Sequence, residues 1–374
     1  MIKQKKFLVT PWEVRGEVDY EKLIKEFGVK RITDELLERI KKHTKELHFL
    51  LRRKIFFSHR DMDWILERYE NGEKFFLYTG RGPSGHTHIG HLIPWIFTSW
   101  LQKKFDAELY FQMTDDEKFL VKPELSLQDT IGYTYDNVLD VIACDFDYKK
   151  TFIFSNTEYA KTQYKIAIQI AKHVTFSTVK SIFGFKNTSN IGIVFFPAIQ
   201  AVPCFLPSVL KGKNIPCLIP AAIDQSPYWR MARDVAPKLN FYKPAEIHSK
   251  FFPGLGKGGK MSSSEPETAI FTSDTEEKIE RKVMNAFDAG QPTIKEQKEK
   301  GGNPELCPVY QYYYFLFEED DKKVQKIFED CKKGNRLCGE CKEILSERIK
   351  KFIKEHQKKR EDAKNKIDKF MLRD

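Results

Sequence analysis

No uninterrupted run of about 18 apolar residues occurs in this chain of 374 residues, which argues against a membrane-spanning helix. The nearest candidate, Ile191 to Pro207, carries Gln200 and the prolines Pro197, Pro203 and Pro207. Prolines that dense break a helix, so the stretch predicts buried strand and loop. No internal repeat or low-complexity tract is visible. Cysteine is sparse, seven residues scattered from Cys144 to Cys341, an odd number in a chain far too long to need disulfide staples. Cys338 and Cys341 form one Cys-x-x-Cys with Cys331 upstream, but no second pair stands nearby in sequence. A zinc site needs four ligands, so no metal is expected and these read as plain thiols. The N-terminal lysines lead into no apolar stretch, and Glu13, Glu17 and Asp19 follow quickly, unlike a secretory or organellar leader. A reducing cytoplasmic location is the expectation.

What is present describes an ordinary globular protein. Hydrophobic residues make up 41% and charged residues 31%, enough apolar mass for a real core and enough length for two domains. The formal net charge is +10, which invites a polyanionic partner. Residues 1–60 hold a basic surplus of seven and residues 342–374 a surplus of five, leaving the middle close to neutral. Solvated helices and a nucleic-acid surface both fit basic ends of this kind.

Helical spacing runs from Asp19 to about Tyr69, with capped starts expected at Thr33 and Ser58. Apolar segments at Lys74–Thr79, Ala107–Met113, Thr151–Phe154, Ile191–Phe196 and Pro216–Ile219 read as strands alternating with helices. That alternation predicts a parallel sheet covered on both faces, the doubly wound Rossmann-type α/β class, with ligands at the carboxyl ends of its strands. After about Phe271 only helical patterns remain, ending in a long amphipathic run from Glu340 to Phe370. The expected division is a mostly helical N-terminal extension over 1–70, a Rossmann-type catalytic domain over 71–275, and an all-helical domain over 276–374.

Two segments carry chemistry. In the first, Thr79-Gly80-Arg81-Gly82-Pro83-Ser84-Gly85 leads into His88-Ile89-Gly90-His91. A strand, a glycine-rich turn and a helix start together form an anion site, because free backbone amides and the helix dipole point at the same place. His88 and His91 are one helical turn apart, and Gly90 between them leaves room for a flat nucleotide. The second segment is a glycine-rich loop, Gly254 to Gly259, followed by Lys260-Met261-Ser262-Ser263-Ser264. A lysine on such a loop is a mobile point charge for phosphates.

Taken together, these two segments resemble the paired signatures of class I aminoacyl-tRNA synthetases. Within that class the chain is similar, almost end to end, to the eukaryotic-type cytoplasmic tryptophanyl-tRNA synthetases. Further matching blocks are Pro11-Trp12, Phe56 to Met62, Gln112 to Lys118, Phe196 to Gln200, Ala222 to Gln225 and Arg233 to Pro237. The resemblance implies activation of tryptophan by ATP and transfer of the acyl group to the terminal ribose of its tRNA. Arg81, His88, His91 and Lys260 are the implied catalytic residues. ATP would be held by Thr79, Gly80, Arg81, Gly82, His88, Gly90, His91, Lys260, Met261 and Ser262, with Mg2+ bound through its phosphates. Tryptophan would be held by Tyr78, Gln112, Glu117, Gln200 and Gln225, with Tyr78 and Gln112 meeting the indole N–H and Glu117 and Gln200 the ammonium. Asp224 would lie beside the substrates. The helical region over 276–374 is the implied anticodon-binding domain, the implied assembly is a homodimer, and Pro11-Trp12 looks like a small lid. Two departures stand out: Ser263 occupies a position that is usually lysine, and Gly85-His86-Thr87 differs from close relatives. The tyrosine enzyme shares the fold, and a His-x-Gly-His also serves cytidylyltransferases; Gln112 and the Lys260 loop favour the tryptophan reading.

Overall fold

A computed structural model describes residues 18–374 and the backbone of 8–9 and 14–15. Leu8–Val9 (β1) and Val14–Arg15 (β2) form a short antiparallel ladder. The remaining strands are Lys30–Arg31 (β3), Phe56–Arg60 (β4), Phe76–Arg81 (β5), Leu109–Met113 (β6), Thr151–Ser155 (β7), Cys217–Ala222 (β8) and Ala245–Ser249 (β9). They build one seven-stranded sheet in the order β3-β4-β9-β8-β5-β6-β7. The five strands from β9 to β7 run parallel, while β3 and β4 pair antiparallel at one edge. The chain winds outward from β5 through β6 to β7, then returns to β8 on the other side. The crevice beside the end of β5, toward β8, is therefore the switch point at which doubly wound sheets bind ligands.

The central strands are apolar on both faces because helices cover both. The helix Ile89–Phe105 buries Trp95, Phe97, Leu101 and Phe105 on one side. Phe97 stacks on Phe56 of β4 with ring centroids 3.8 Å apart. The opposite face packs Phe76, Tyr78 and Phe154 against Phe196, Phe205, Tyr228 and Trp229. The helices after residue 275 do not form a separate core: Ile279, Tyr312 and Ile349 belong to the same buried cluster as Leu77 and Phe111. The last helix, Cys338–Lys364, runs back to the sheet, and the tail beyond it pairs with β7. Ile153 N donates to Phe370 O and Leu372 N to Ile153 O, both at 2.7 Å.

The doubly wound sheet and the helical C-terminal region agree with the sequence reading, but several elements differ. Ile191–Ala201 is a helix, not a strand, and Val202–Cys204 and Leu206–Lys211 continue in helical turns. Asn190 caps the first, accepting from Ile193 N at 2.8 Å. Pro203 and Pro207 fall in the opening turns of the next two segments, where no N–H partner is required. Of these three prolines, Pro197 is the one inside a helix. The region before residue 70 holds strands beside its helices, and β3 and β4 extend the sheet. Thr33 caps a helix as expected, but Ser58 lies inside β4, and Asp61 stands at the start of the next helix. β9 also went unrecognised, because Glu246 and His248 look like surface residues. Both are fully buried, with His248 Nε2 2.9 Å from Glu246 Oε2 and Ser226 Oγ donating to the same oxygen at 2.7 Å. Pro11-Trp12 lies outside the described residues.

Candidate active site

The turn after β5 holds its cations through the neighbouring helix. Arg81 Nε donates to Asn137 Oδ1 at 3.1 Å, and Asn137 Nδ2 donates to Gly85 O at 3.0 Å. Burial lowers the Arg81 guanidinium to about 10, against the pull of Glu117 and Asp140, so it stays charged at neutral pH. Gly80 is required by close packing: a Cβ there would lie 2.7 Å from the carbonyl oxygen of Gln112 on β6.

His88 caps the following helix, and its ring stacks on His91 at 3.6 Å. His91 Nδ1 accepts from the His88 backbone N–H at 3.2 Å, leaving Nε2 to carry the ring proton. Burial first, then Arg81 and Lys260, push His88 down to about 3, and His91 lies well below its ordinary value. Both rings are neutral at physiological pH and serve as hydrogen-bond donors, not as cations. His88 Nδ1 is buried with no partner.

The second segment closes against the first. Met261 N donates to Phe252 O at 2.8 Å, and Gly254 N to Gly259 O at 3.3 Å, which folds the loop back on itself. A Cβ at Gly90 would meet the His88 ring at 3.1 Å and Met261 Cβ at 3.5 Å, so the loop packs against the helix start. Lys260 Nζ donates to Asp224 Oδ2 at 3.2 Å, and Asp224 Oδ1 is buried without a partner.

Deeper in, Tyr78 is 1% exposed. Its hydroxyl donates to Gln112 Oε1 at 2.7 Å and accepts from Gln200 Nε2 at 2.9 Å. Gln112 Nε2 donates in turn to Asn156 Oδ1 at 2.9 Å, and Asn156 Nδ2 to Asp116 Oδ1 at 2.7 Å. Burial raises Asp116 to about 7. Glu117 is fully engaged, accepting from Thr114 Oγ1 at 3.0 Å and from Lys118 Nζ at 2.9 Å.

All of this surrounds one cavity of about 480 Å3. Its wall includes Tyr78, Thr79, Gly80, Arg81, Gly82, His88, Gly90 and His91 from the first segment. Lys260, Met261 and Ser262 come from the second, and Glu117, Gln200, Asp224 and Gln225 complete the residues expected from sequence. Gln112 is the exception: fully buried behind Tyr78, it reaches the cavity only through that hydroxyl. The sequence reading missed Lys118, Trp95, Tyr228, Trp229 and Phe251, which also line it. Tyr228 and Trp229 had a signal, standing three and four residues after Gln225 on a helix. A second cavity of about 430 Å3, walled by Phe27, Arg60, Ser181 and Arg230, contains none of these residues.

A family model for class I tRNA synthetases (W and Y) matches residues 70–354, spanning the sheet, both signature segments and most of the C-terminal helices. The chain belongs to the class I tRNA synthetase family. It is 55% identical to the tryptophan–tRNA ligase of Pyrococcus furiosus over 98% of this chain and 94% of that one. It is 52% identical to the tryptophan–tRNA ligase of Saccharolobus solfataricus, over 97% and 95% respectively. Among solved structures, tryptophanyl-tRNA synthetase from Plasmodium falciparum superposes with a TM-score of 0.89 at 42% identity, covering 94% of this chain and 97% of that one.

The structure adds Cys307 to the cysteines singled out in the helical region. Burial, then the neighbouring Cys307 and Cys341, push the Cys331 thiol up to about 11, and burial with Asp288 takes Cys338 to about 12. All seven cysteines are unpaired. Among the described residues, no group of three or more His, Cys, Asp or Glu is placed to hold a metal ion, and no helix is long and apolar enough to cross a membrane.

Proposed function

We propose that this chain is a tryptophan–tRNA ligase. It joins the tryptophan carboxylate to the α-phosphate of ATP, releasing pyrophosphate, then passes the acyl group to the 3′-terminal ribose of its tRNA. The observation that carries the reading is the convergence of Arg81, His88, His91 and Lys260 on one cavity whose inner wall ends at Tyr78 and Gln200. In-line attack at phosphorus needs alignment and charge neutralisation more than covalent help. On this reading Arg81 and Lys260 supply fixed charge, and neutral His88 and His91 donate hydrogen bonds to oxygens whose charge grows in the transition state.

Thr79, Gly80, Gly82 and Gly90 provide backbone room for the nucleotide, and Met261 and Ser262 close over it. Mg2+ binds proteins largely through substrate phosphates and one or two carboxylates. Asp224, with an unpartnered buried oxygen beside Lys260, fits that limited role. When bound, the ion would add charge neutralisation on the phosphates.

The tryptophan side would use Tyr78 and Gln200 at the wall, with Gln112 setting the Tyr78 hydroxyl from behind. A buried polar contact of this kind rejects substrates lacking the matching group far better than shape does. Glu117 would exchange its Lys118 partner for the substrate ammonium, and Gln225 would lie beside it.

The eukaryotic-type grouping is favoured by the Plasmodium falciparum structure, although the curated sequence relatives named above are archaeal. A homodimer is favoured by exposed apolar side chains, with Tyr164 57%, Ile168 44% and Ile191 83% exposed. Cytoplasmic location accords with seven free thiols. The helices beyond residue 275 would carry tRNA binding, and the region before 70 would serve as an extension of the catalytic sheet. ATP–pyrophosphate exchange with each amino acid tests the central claim: exchange should depend on tryptophan, and exchange with tyrosine alone would overturn it.

A further inference from the structure

One turn of the last helix, Cys338–Lys364, touches both flanks of the phosphate turn without entering the cavity. On one flank, Arg360 Nη2 donates to Asp136 Oδ1 at 2.6 Å, and its Nη1 pairs with Asp140 Oδ2. His356 Nε2 lies 2.8 Å from the other Asp140 oxygen. Asp140 is fully buried. Burial works against its charge, yet His356 and Arg360 hold its carboxyl below the ordinary value. Asp136 and Asp140 sit on the helix Leu127–Ile142, one before and three after Asn137. Asn137 is the residue that grips Arg81 Nε and Gly85 O. Asp136 also meets His86 Nδ1 at 3.1 Å, inside the turn itself.

On the other flank, Gln357 Nε2 donates to Thr272 O at 2.9 Å and to Asp274 O at 3.1 Å. Thr272 N and Oγ1 both donate to Thr87 O, at 2.9 and 3.1 Å, immediately before His88. Ile89 N donates to Ile270 O at 3.0 Å. Residues 82–88 are thus suspended between two tethers that meet at His356, Gln357 and Arg360.

We infer that Arg360, with His356 and Gln357, positions Arg81 and the His88 turn, so that the C-terminal helical region sets the geometry of the ATP site. This rests on the tryptophan–tRNA ligase reading for its kinetic arm. The chemistry is specific to a guanidinium. Arg360 forks between two carboxylates on successive turns of one helix, fixing that helix in rotation as well as position, which a point charge cannot do. Arg81 has Asn137 as its hydrogen-bond anchor, and its Nη2 is buried without a partner, so a small rotation of the Asn137 helix re-aims the group. Misplacement of about 1 Å at a reacting centre costs on the order of a hundredfold in rate.

The test uses the full chain. Arg360→Ala should raise KM for ATP or lower kcat of ATP–pyrophosphate exchange by about tenfold or more, with KM for tryptophan within about twofold of wild type. Asn137→Ala should show the same split, and the double variant should be no worse than the poorer single, because both act on one element. Arg360→Lys, which keeps the charge and loses the fork, should recover only part of the loss. Amide hydrogen exchange of residues 82–88 in the substrate-free protein gives a second readout: Arg360→Ala should speed it there while leaving Ser226–Val235 unchanged. A lower melting temperature with unchanged kinetics and unchanged exchange at 82–88 would reduce these residues to scaffolding and overturn the inference. Wild-type protein without tryptophan-dependent exchange would sink the ligase reading instead, and the amide measurement would still decide the positioning role.

Discussion

Lys260 Nζ lies 3.2 Å from Asp224 Oδ2, so the signature lysine of the glycine-rich loop is tethered to the turn that follows β8. The tether holds a mobile side chain at the cavity wall and leaves one Asp224 oxygen with no partner. Because Ser263 replaces a second lysine, Lys260 carries that signature charge alone. Lys260→Ala should slow adenylate formation by about two or more powers of ten, as expected for losing one transition-state contact. Tryptophan affinity, read by equilibrium dialysis, should hardly change. Equal single-turnover rates for wild type and variant would remove Lys260 from this role.

The neutral histidines predict an unusual pH response. His88 is pushed to about 3 and His48 and His59 to about 4, all chiefly by burial, from an ordinary 6.5. Between about pH 6.5 and 4 the unfolded chain takes up protons at these sites and the folded one does not. Stability should therefore fall as pH drops through that window. Urea midpoints at pH 7.5 and pH 5 test the sign. The rate of adenylate formation should show no acidic limb near 6.5 from His88 or His91; such a limb would contradict the buried, neutral assignment.

Tyr78→Phe removes one hydroxyl that serves both Gln112 and Gln200. The buried Gln112 amide and the half-buried Gln200 amide then each lose a partner, a cost of about 1–3 kcal/mol for the buried group. The expected result is a drop of about ten- to a hundredfold in kcat/KM for tryptophan with KM for ATP unchanged. A uniform fall for both substrates would mean that the loss reflects general misfolding instead.

Phe56 provides a test of how the early region folds. It is fully buried and stacks on Phe97 of the helix after β5. Phe56→Ala should cost about 3–5 kcal/mol, measured by urea unfolding. An unchanged m-value would show β4 unfolding with the rest of the sheet, whereas a second transition would show an independent extension.

Much of this architecture was readable from residue order. The glycine turn, the His88–His91 pair and the Lys260 loop are local signals, and β5, β6 and β7 are largely apolar because both sheet faces are covered. What escaped depends on tertiary context. β9 was hidden by Glu246 and His248, charged-looking residues whose burial becomes tolerable only once Arg60 pairs with Glu246 and Ser226 donates to it, both from elsewhere in the chain. The helix Ile191–Ala201 was hidden by prolines that are harmless in the opening turns of the segments after it. Gln112 was expected at the substrate and stands behind Tyr78, since alternation along a strand gives its face but not its depth. Arg360 read as one basic residue among many on a solvated helix; its two carboxylate partners lie more than 200 positions earlier.

The pairing of Phe370 and Leu372 with Ile153 has a consequence for solubility. An uncovered outer strand offers a row of free amides and carbonyls to any other chain, which is how sheets aggregate edge to edge. Here the tail occupies that row, and Asp374 fastens it by accepting from Thr162 N and Thr162 Oγ1 at 3.1 and 2.6 Å. None of residues 370–374 lines the catalytic cavity, and their removal would turn β7 into an adhesive border.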